Sequence, residues 1–174
     1  MGTRTARELV EGVPDPEMPW VTLGDLGIVR EVTTGPDEAV RVALTPTYLG
    51  CPAIEAMRAD VAEVLTAQGY RVREVALRLD PPWTPAAITE RGREKLAEAG
   101  IAPPRLTENA DTPVSGTAVS CPSAGHTATP LSLGVRCPHC GGIETALLSR
   151  FGASPCQELR RCSSCGEPFP AVRS

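Results

Sequence analysis

Thr45-Pro-Thr-Tyr-Leu-Gly-Cys51-Pro-Ala-Ile-Glu-Ala-Met57 leaves an alternating segment, turns at Gly50 and leads into a helical pattern. Proline suits the first helical position, because its ring fixes φ and it lacks an N–H that the helix could not use there. A helix entered at Pro52 puts Cys51 at or beside the N-cap, where free backbone N–H groups and the helix dipole favour an anion. Thiols in such settings ionise at roughly 3.5–7.5 rather than about 8.5, so Cys51 is expected to be an exposed thiolate. The strand before this turn and the helix after it are the centre of the fold.

Upstream, residues 4–11 form a short helix closed by Gly12 and Pro14, and the three prolines of 13–19 deny that segment regular pairing. Strands are expected at 28–33 and 39–45. In the second, Val40, Val42 and Leu44 alternate with Arg41, Ala43 and Thr45, a period-2 pattern with one buried face. Turn-forming residues 34–38 join them as a hairpin. Downstream, Ile54, Met57, Val61, Val64 and Leu65 share a face of helix 52–68, and Gly69 stops it. A third strand, 71–79, has Val75, Leu77 and Leu79 on one face and a bulge near Arg73-Glu74. Thr84-Pro85 opens a second helix that runs to Ala99. The fold class is α+β, a small three-stranded sheet packed by helices.

Residues 105–134 are rich in Thr, Ser, Ala, Pro and Gly with no apolar periodicity, which reads as a linker carrying Cys121 and His126 as spectators. The chain thus divides into a domain at 1–104, a linker at 105–134 and a four-cysteine tail at 135–174. In the tail, Cys137-Pro-His-Cys140 and Cys162-Ser-Ser-Cys165 are two tight turns, each aiming two thiolates at one point. Together they specify a closed tetrahedral zinc site with a structural role. His139 lies inside a turn and is expected to face solvent. Cys156 has two readings: a small buried hydrophobe, or an extra thiolate that could help exchange the metal.

Composition narrows the function. The net charge is −4, with 16 acids against 11 bases in residues 1–103, so a basic footprint for nucleic acid is missing. The N-terminal residues show no apolar leader, and no run reaches the roughly 18 residues of a membrane span. Seven cysteines in paired spacings then suit a cytoplasmic, metal-binding chain. The two histidines lie at 126 and 139, so Cys51 lacks a base for nucleophilic catalysis. Asp15 and Glu17 flank Pro16, and by themselves read as capping or surface groups.

Asp15-Pro-Glu17, Leu26-Gly-Ile-Val29, residues 45–53 and Pro82-Trp-Thr84 together resemble the MIP18-like (DUF59) iron–sulfur assembly domain. Gly100-Ile-Ala-Pro-Pro104 and the four-cysteine tail narrow the resemblance to the D-protein family of bacterial phenylacetyl-CoA epoxidase (phenylacetate-CoA oxygenase) systems. It covers residues 8–104 and 135–169. The resemblance implies a non-catalytic maturation role, with the family's reactive cysteine at Cys51 and its acidic motif at Asp15 and Glu17; Thr47 is a neighbouring candidate. A transient iron–sulfur cluster or iron is the implied cargo, and the epoxidase reductase or oxygenase subunits the implied clients. One thiolate cannot complete a cluster, so a homodimer with Cys51 at its interface, or a client, is expected to supply the rest. The family's closing aromatic-Lys-Cys is absent after Glu167-Pro-Phe169. Two other readings stand beside this one: a rubredoxin-like electron carrier with iron in the tail, and a zinc-ribbon nucleic-acid adaptor.

Overall fold

The computed structural model describes residues 4–48, 50–104 and 135–173. The linker reading at 105–134, with Cys121 and His126, lies outside the described residues. Helix α1 (Ala6–Glu11) is fixed by a capping box: the Thr5 side chain accepts the Glu8 N–H, and the Glu8 carboxylate accepts the Thr5 N–H at 2.7 Å. Strands β1 (Val29–Thr34) and β2 (Ala39–Leu44) form the expected antiparallel hairpin. Helix α2 (Ile54–Ala67) then crosses over to β3 (Arg71–Leu77), which pairs parallel to β2. The sheet order is β1-β2-β3. Its register slips between Val40/Val72 and Arg41/Glu74, leaving Arg73 as the extra residue of the expected bulge.

Val40, Val42 and Leu44 on the central strand meet Met57, Val61 and Leu65 of α2, all buried. The irregular segment 13–28 adds as much to this core as either element does. Asp15 N–H to Val21 O (2.9 Å) and Leu23 N–H to Val13 O (2.8 Å) fold it back on itself. That places Val13, Met18, Val21, Leu23, Leu26 and Ile28 inside.

Two expectations are corrected. The helix at 84–99 is split: Pro85–Ala87 is a 3-10 turn, Ile88 is an extended buried anchor, and α3 covers Glu90–Glu98. Thr89 is the cap, its hydroxyl accepting the Gly92 N–H at 3.0 Å. Gly92 is required there, because a Cβ would lie 2.4 Å from the Asp25 carbonyl oxygen. On β3, Val75 is buried, but Leu77 and Leu79 are 41% and 50% exposed. The strand ends at Leu77 on the sheet edge, beyond the cover of α2.

Asp25 is fully buried and binds two cations of α3, Lys95 Nζ and Arg91 Nε, each at 2.7 Å. Burial pushes its carboxyl up, but the hydrogen bonds from Lys95 and Arg91 outweigh this and hold it below the ordinary carboxylate value.

The tail is a separate antiparallel sheet, β4 (Thr145–Ser149), β5 (Gln157–Cys162) and β6 (Pro168–Val172). It docks on the first domain. Ala102 N–H donates to Pro170 O (2.9 Å) and Val172 N–H to Ala102 O (3.0 Å), so residues 101–104 run parallel beside β6. Ala102 completes the tail's small core with Phe169, Ala171, Cys137 and Cys162. In return, Cys156 and Val172 are buried in the first domain's core.

Candidate functional site

The root of the 45–51 turn is held from three sides. Thr45 is buried; its hydroxyl donates to Arg78 O (2.6 Å) and accepts from Arg30 Nε (3.2 Å). The Arg30 guanidinium donates onward to Pro81 O and Pro82 O (3.1 and 3.0 Å), and Trp83 Nε1 donates to Leu26 O at 2.8 Å. The separate motifs Leu26-Gly-Ile-Val29, 45–53 and Pro82-Trp-Thr84 are therefore one hydrogen-bonded assembly. Cys51 follows on this turn, its N–H donating to Tyr48 O at 3.2 Å. Thr47 lies half-buried on the same loop.

Helix α2 starts at Ile54, not at Pro52, and Cys51 lies in the preceding turn, its carbonyl accepting the Ile54 N–H at 3.3 Å. The expected exposed thiolate is also corrected. Cys51 is 8% exposed. Burial pushes its thiol up; the Ala53 and Ile54 N–H groups favour the anion, but Glu17 and Asp15 add to the upward push. The helix-start N–H groups are present as foreseen, and desolvation overrides them.

Asp15 is buried, and its Oδ1 accepts the N–H groups of Glu17 and Met18, both at 2.9 Å. This turn points the Glu17 side chain towards the tail. Burial raises the Asp15 carboxyl above its usual value, against the pull of those two N–H groups. Asp15 thus has the capping role expected of it, though buried, and Glu17 is half-buried rather than a free surface group.

Cys156 lies outside the tail's sulfur cluster and is buried, which fits its reading as a small buried side chain rather than as an extra thiolate. It is 8% exposed, its Sγ lies 3.7 Å from Glu17 Oε2 and its hydrogen-bonding partner Ser154 Oγ is at 2.9 Å. Burial pushes its thiol up to about 11; Ser154 opposes this, and Glu17, Asp15 and Cys51 reinforce it. The structure thus brings Cys51, Asp15 and Glu17 of one domain to Cys156 of the other. Around them, Gln157 Nε2 meets Met18 Sδ at 3.4 Å, and the Arg173 guanidinium lies 4.8 Å over the Tyr48 ring. Sequence reading missed this meeting; the one available signal was that Cys156 has no partner two residues away. Burial holds both thiols above the ordinary cysteine value, so iodoacetamide should modify them more slowly than it does a free cysteine. Mass spectrometry of the alkylated peptides checks this.

The second cluster is where the spacing put it. The Sγ atoms of Cys137, Cys140, Cys162 and Cys165 all lie within 4.8 Å of one another. Cys137–Cys165 is 3.8 Å and Cys140–Cys162 is 3.5 Å. A tetrahedral ion with metal–sulfur bonds of about 2.3 Å needs sulfurs about 3.8 Å apart, so the four fit such an ion. Each turn is closed by a backbone bond, Gly141 N–H to Cys137 O (2.9 Å) and Gly166 N–H to Cys162 O (3.0 Å). Both glycines have positive φ, 74° and 81°, which suits a residue without Cβ. The Cys165 and Ser164 N–H groups pull Cys162 down to about 6. His139 is exposed.

Two family models match this chain: iron-sulfur cluster assembly protein at residues 4–77, and PaaD zinc beta ribbon domain at residues 123–173. The second match begins inside the stretch read as linker. An Escherichia coli (strain K12) protein, described as the D component of a putative 1,2-phenylacetyl-CoA epoxidase, is 41% identical over 162 residues, 92% of this chain and 86% of that protein. An Fe-S protein maturation auxiliary factor of Porphyromonas gingivalis (strain ATCC BAA-308 / W83) is 32% identical over 94 residues, 53% of this chain and 86% of that protein. A solved structure of a domain of unknown function, DUF59, from Bacillus anthracis is 28% identical and covers 52% of this chain and 87% of its own, with a TM-score of 0.48. Among the described residues, no helix is long and apolar enough to cross a membrane. With a match that spans most of both chains, this protein belongs to the PaaD family, an iron–sulfur assembly domain joined to a zinc ribbon.

Proposed function

We propose that this chain is a maturation component of a phenylacetyl-CoA 1,2-epoxidase system. It holds iron or a small iron–sulfur cluster at Cys51 and passes it to the epoxidase reductase or oxygenase subunits. The ribbon's ion is zinc, bound by Cys137, Cys140, Cys162 and Cys165; it pins the fold and leaves no open position for chemistry. The observation that carries this reading is the placement of Cys51 beside Asp15 and Glu17, at a helix start whose N–H groups favour the thiolate. Burial suits the same role. A neutral thiol is quiet until a cation displaces its proton, and binding then releases that proton to solvent.

The test is client loading. The chain is co-produced with the epoxidase reductase, and iron and acid-labile sulfide are counted per reductase. Cys51→Ala should lower both to the level seen without this chain, while zinc stays at one per chain. Undiminished loading by the variant overturns the reading. The rubredoxin-like alternative is separated in the same samples, because zinc–thiolate centres are colourless whereas an iron–thiolate centre absorbs in the visible.

A further inference from the structure

The proposed role of Cys51 leaves a shortage of ligands, since one thiol and two carboxylates hold a thiophilic cation weakly. On that reading, we infer that the ribbon supplies the second thiol: Cys156 and Cys51, with the Glu17 carboxylate, form one composite cation site across the contact between the two domains.

Three observations support it. First, both cysteines are buried in the same core, although they come from different domains. Cys156 Sγ already lies 3.7 Å from the Glu17 carboxylate. Second, the acids are unneutralised: among the described residues, neither Asp15 nor Glu17 has a cationic side chain within 4 Å. Two carboxylates drawn towards two thiols, without a basic partner, make a place where a cation is favoured. The nearby Arg173 pairs with neither acid: its guanidinium lies over Tyr48 and Phe151 and its Nη1 donates to Pro155 O at 3.0 Å. Third, the site has an approach. A cleft of about 450 Å³ between the domains is lined by Glu17, Trp20, Ile101, Ser154, Gln157 and Pro170, and so reaches the site at Glu17; neither thiol is part of its lining.

The donors are set more loosely than in the ribbon. Among the described residues only the ribbon's four sulfurs form a group of three or more donors close enough to hold an ion, so the donors of the composite site must draw together when a cation binds. That looseness suits a site that releases what it holds. Two thiols with carboxylates select a borderline-soft divalent ion such as iron(II), zinc or cobalt(II) over magnesium or calcium. Binding exchanges two S–H protons for two metal–sulfur bonds, and both protons leave to solvent. A second thiol from the same chain also removes the need for a Cys51-to-Cys51 dimer.

Cobalt(II) is the probe, because its sulfur-to-metal absorption scales with the number of thiolates. The zinc-loaded full chain is titrated anaerobically with cobalt(II), with zinc release monitored to exclude exchange in the ribbon. Wild type should take up one cobalt per chain with two-thiolate absorption. Cys156→Ser and Cys51→Ser should each halve that absorption and weaken binding at least about tenfold, and Glu17→Gln should weaken it while keeping two-thiolate intensity. If Cys156→Ser binds as wild type does while Cys51→Ser does not, the composite site is wrong and the role of Cys51 stands. No cobalt uptake by wild type likewise overturns the composite site; client loading, measured separately, then decides the role of Cys51.

Discussion

Cys162→Ser should leave the ribbon unfolded while the assembly domain stays folded. The ribbon's own core consists of Phe169, Ala171, Cys137 and Cys162, completed by Ala102 from the other domain. One aromatic ring and two alanines are too small a core to hold three strands together without the ion. Structural zinc supplies about 10–16 kcal/mol in such modules, which is as much as the whole stability of an ordinary domain, about 5–15 kcal/mol. Removing one thiolate leaves three charged or protonated sulfurs crowded within 4.8 Å. The first domain has its own core, from Leu9 to Leu96, and survives. It loses the cover that Cys156 and Val172 provide, however, so Cys51 and Cys156 should both alkylate faster than in the intact protein. Amide NMR spectra read the outcome directly. The resonances of β4–β6 should collapse to unfolded positions while those of β1–β3 remain dispersed; a variant that keeps dispersed ribbon resonances contradicts the claim that the metal folds this module.

Asp25→Ala should destabilise the assembly domain by about 3 kcal/mol, the low end of the cost of breaking a buried pair, because Arg91 and Lys95 are partly solvated. For a domain of about 100 residues this lowers the melting temperature by roughly 12–24 °C. The variant strands the Lys95 ammonium and removes the acceptor of the Thr22 N–H (3.1 Å), which closes the turn leading into Leu26. The pH dependence has a definite sign. The folded-state carboxyl of Asp25 is held below its ordinary value. Its contribution is therefore complete above the unfolded value of about 3.9 and is lost as pH falls through the folded one. Wild type should lose stability with acid more steeply below about pH 4 than Asp25→Asn does. Thermal melts of both proteins between neutral and acid pH show whether the two curves converge.

The parts of this molecule that could be read from sequence are those set by local rules. Two cysteines separated by two residues form a metal-binding turn in almost any context, so the four-sulfur cluster lies where Cys137, Cys140, Cys162 and Cys165 indicate. The period-2 alternation at Val40, Val42 and Leu44 and the helical spacing of Met57, Val61 and Leu65 likewise depend on near neighbours, and all six are buried as read. What escaped depends on distant residues. The state of Cys51 is decided by Asp15 and Glu17, 36 and 34 positions upstream, and by desolvation, none of which the local pattern Gly50-Cys51-Pro52 contains. Cys156 meets Glu17 across 139 positions. Asp25 looks like a surface acid in sequence, and Lys95, the chain's single lysine, looks like an effect of composition; only the fold pairs them. The split of the helix at 84–99 has the same origin, because Thr89 and Gly92 are chosen by their contacts with the Asp25 backbone.

The central claim is that Cys51 is where iron rests in this protein. Anaerobic reconstitution of the zinc-loaded chain with iron(II) and sulfide, followed by metal and sulfide counts per chain, tests it most directly on wild type and Cys51→Ser side by side. Wild type should retain iron beyond its one zinc, and Cys51→Ser should retain the zinc alone. Equal iron in the two proteins would contradict the account.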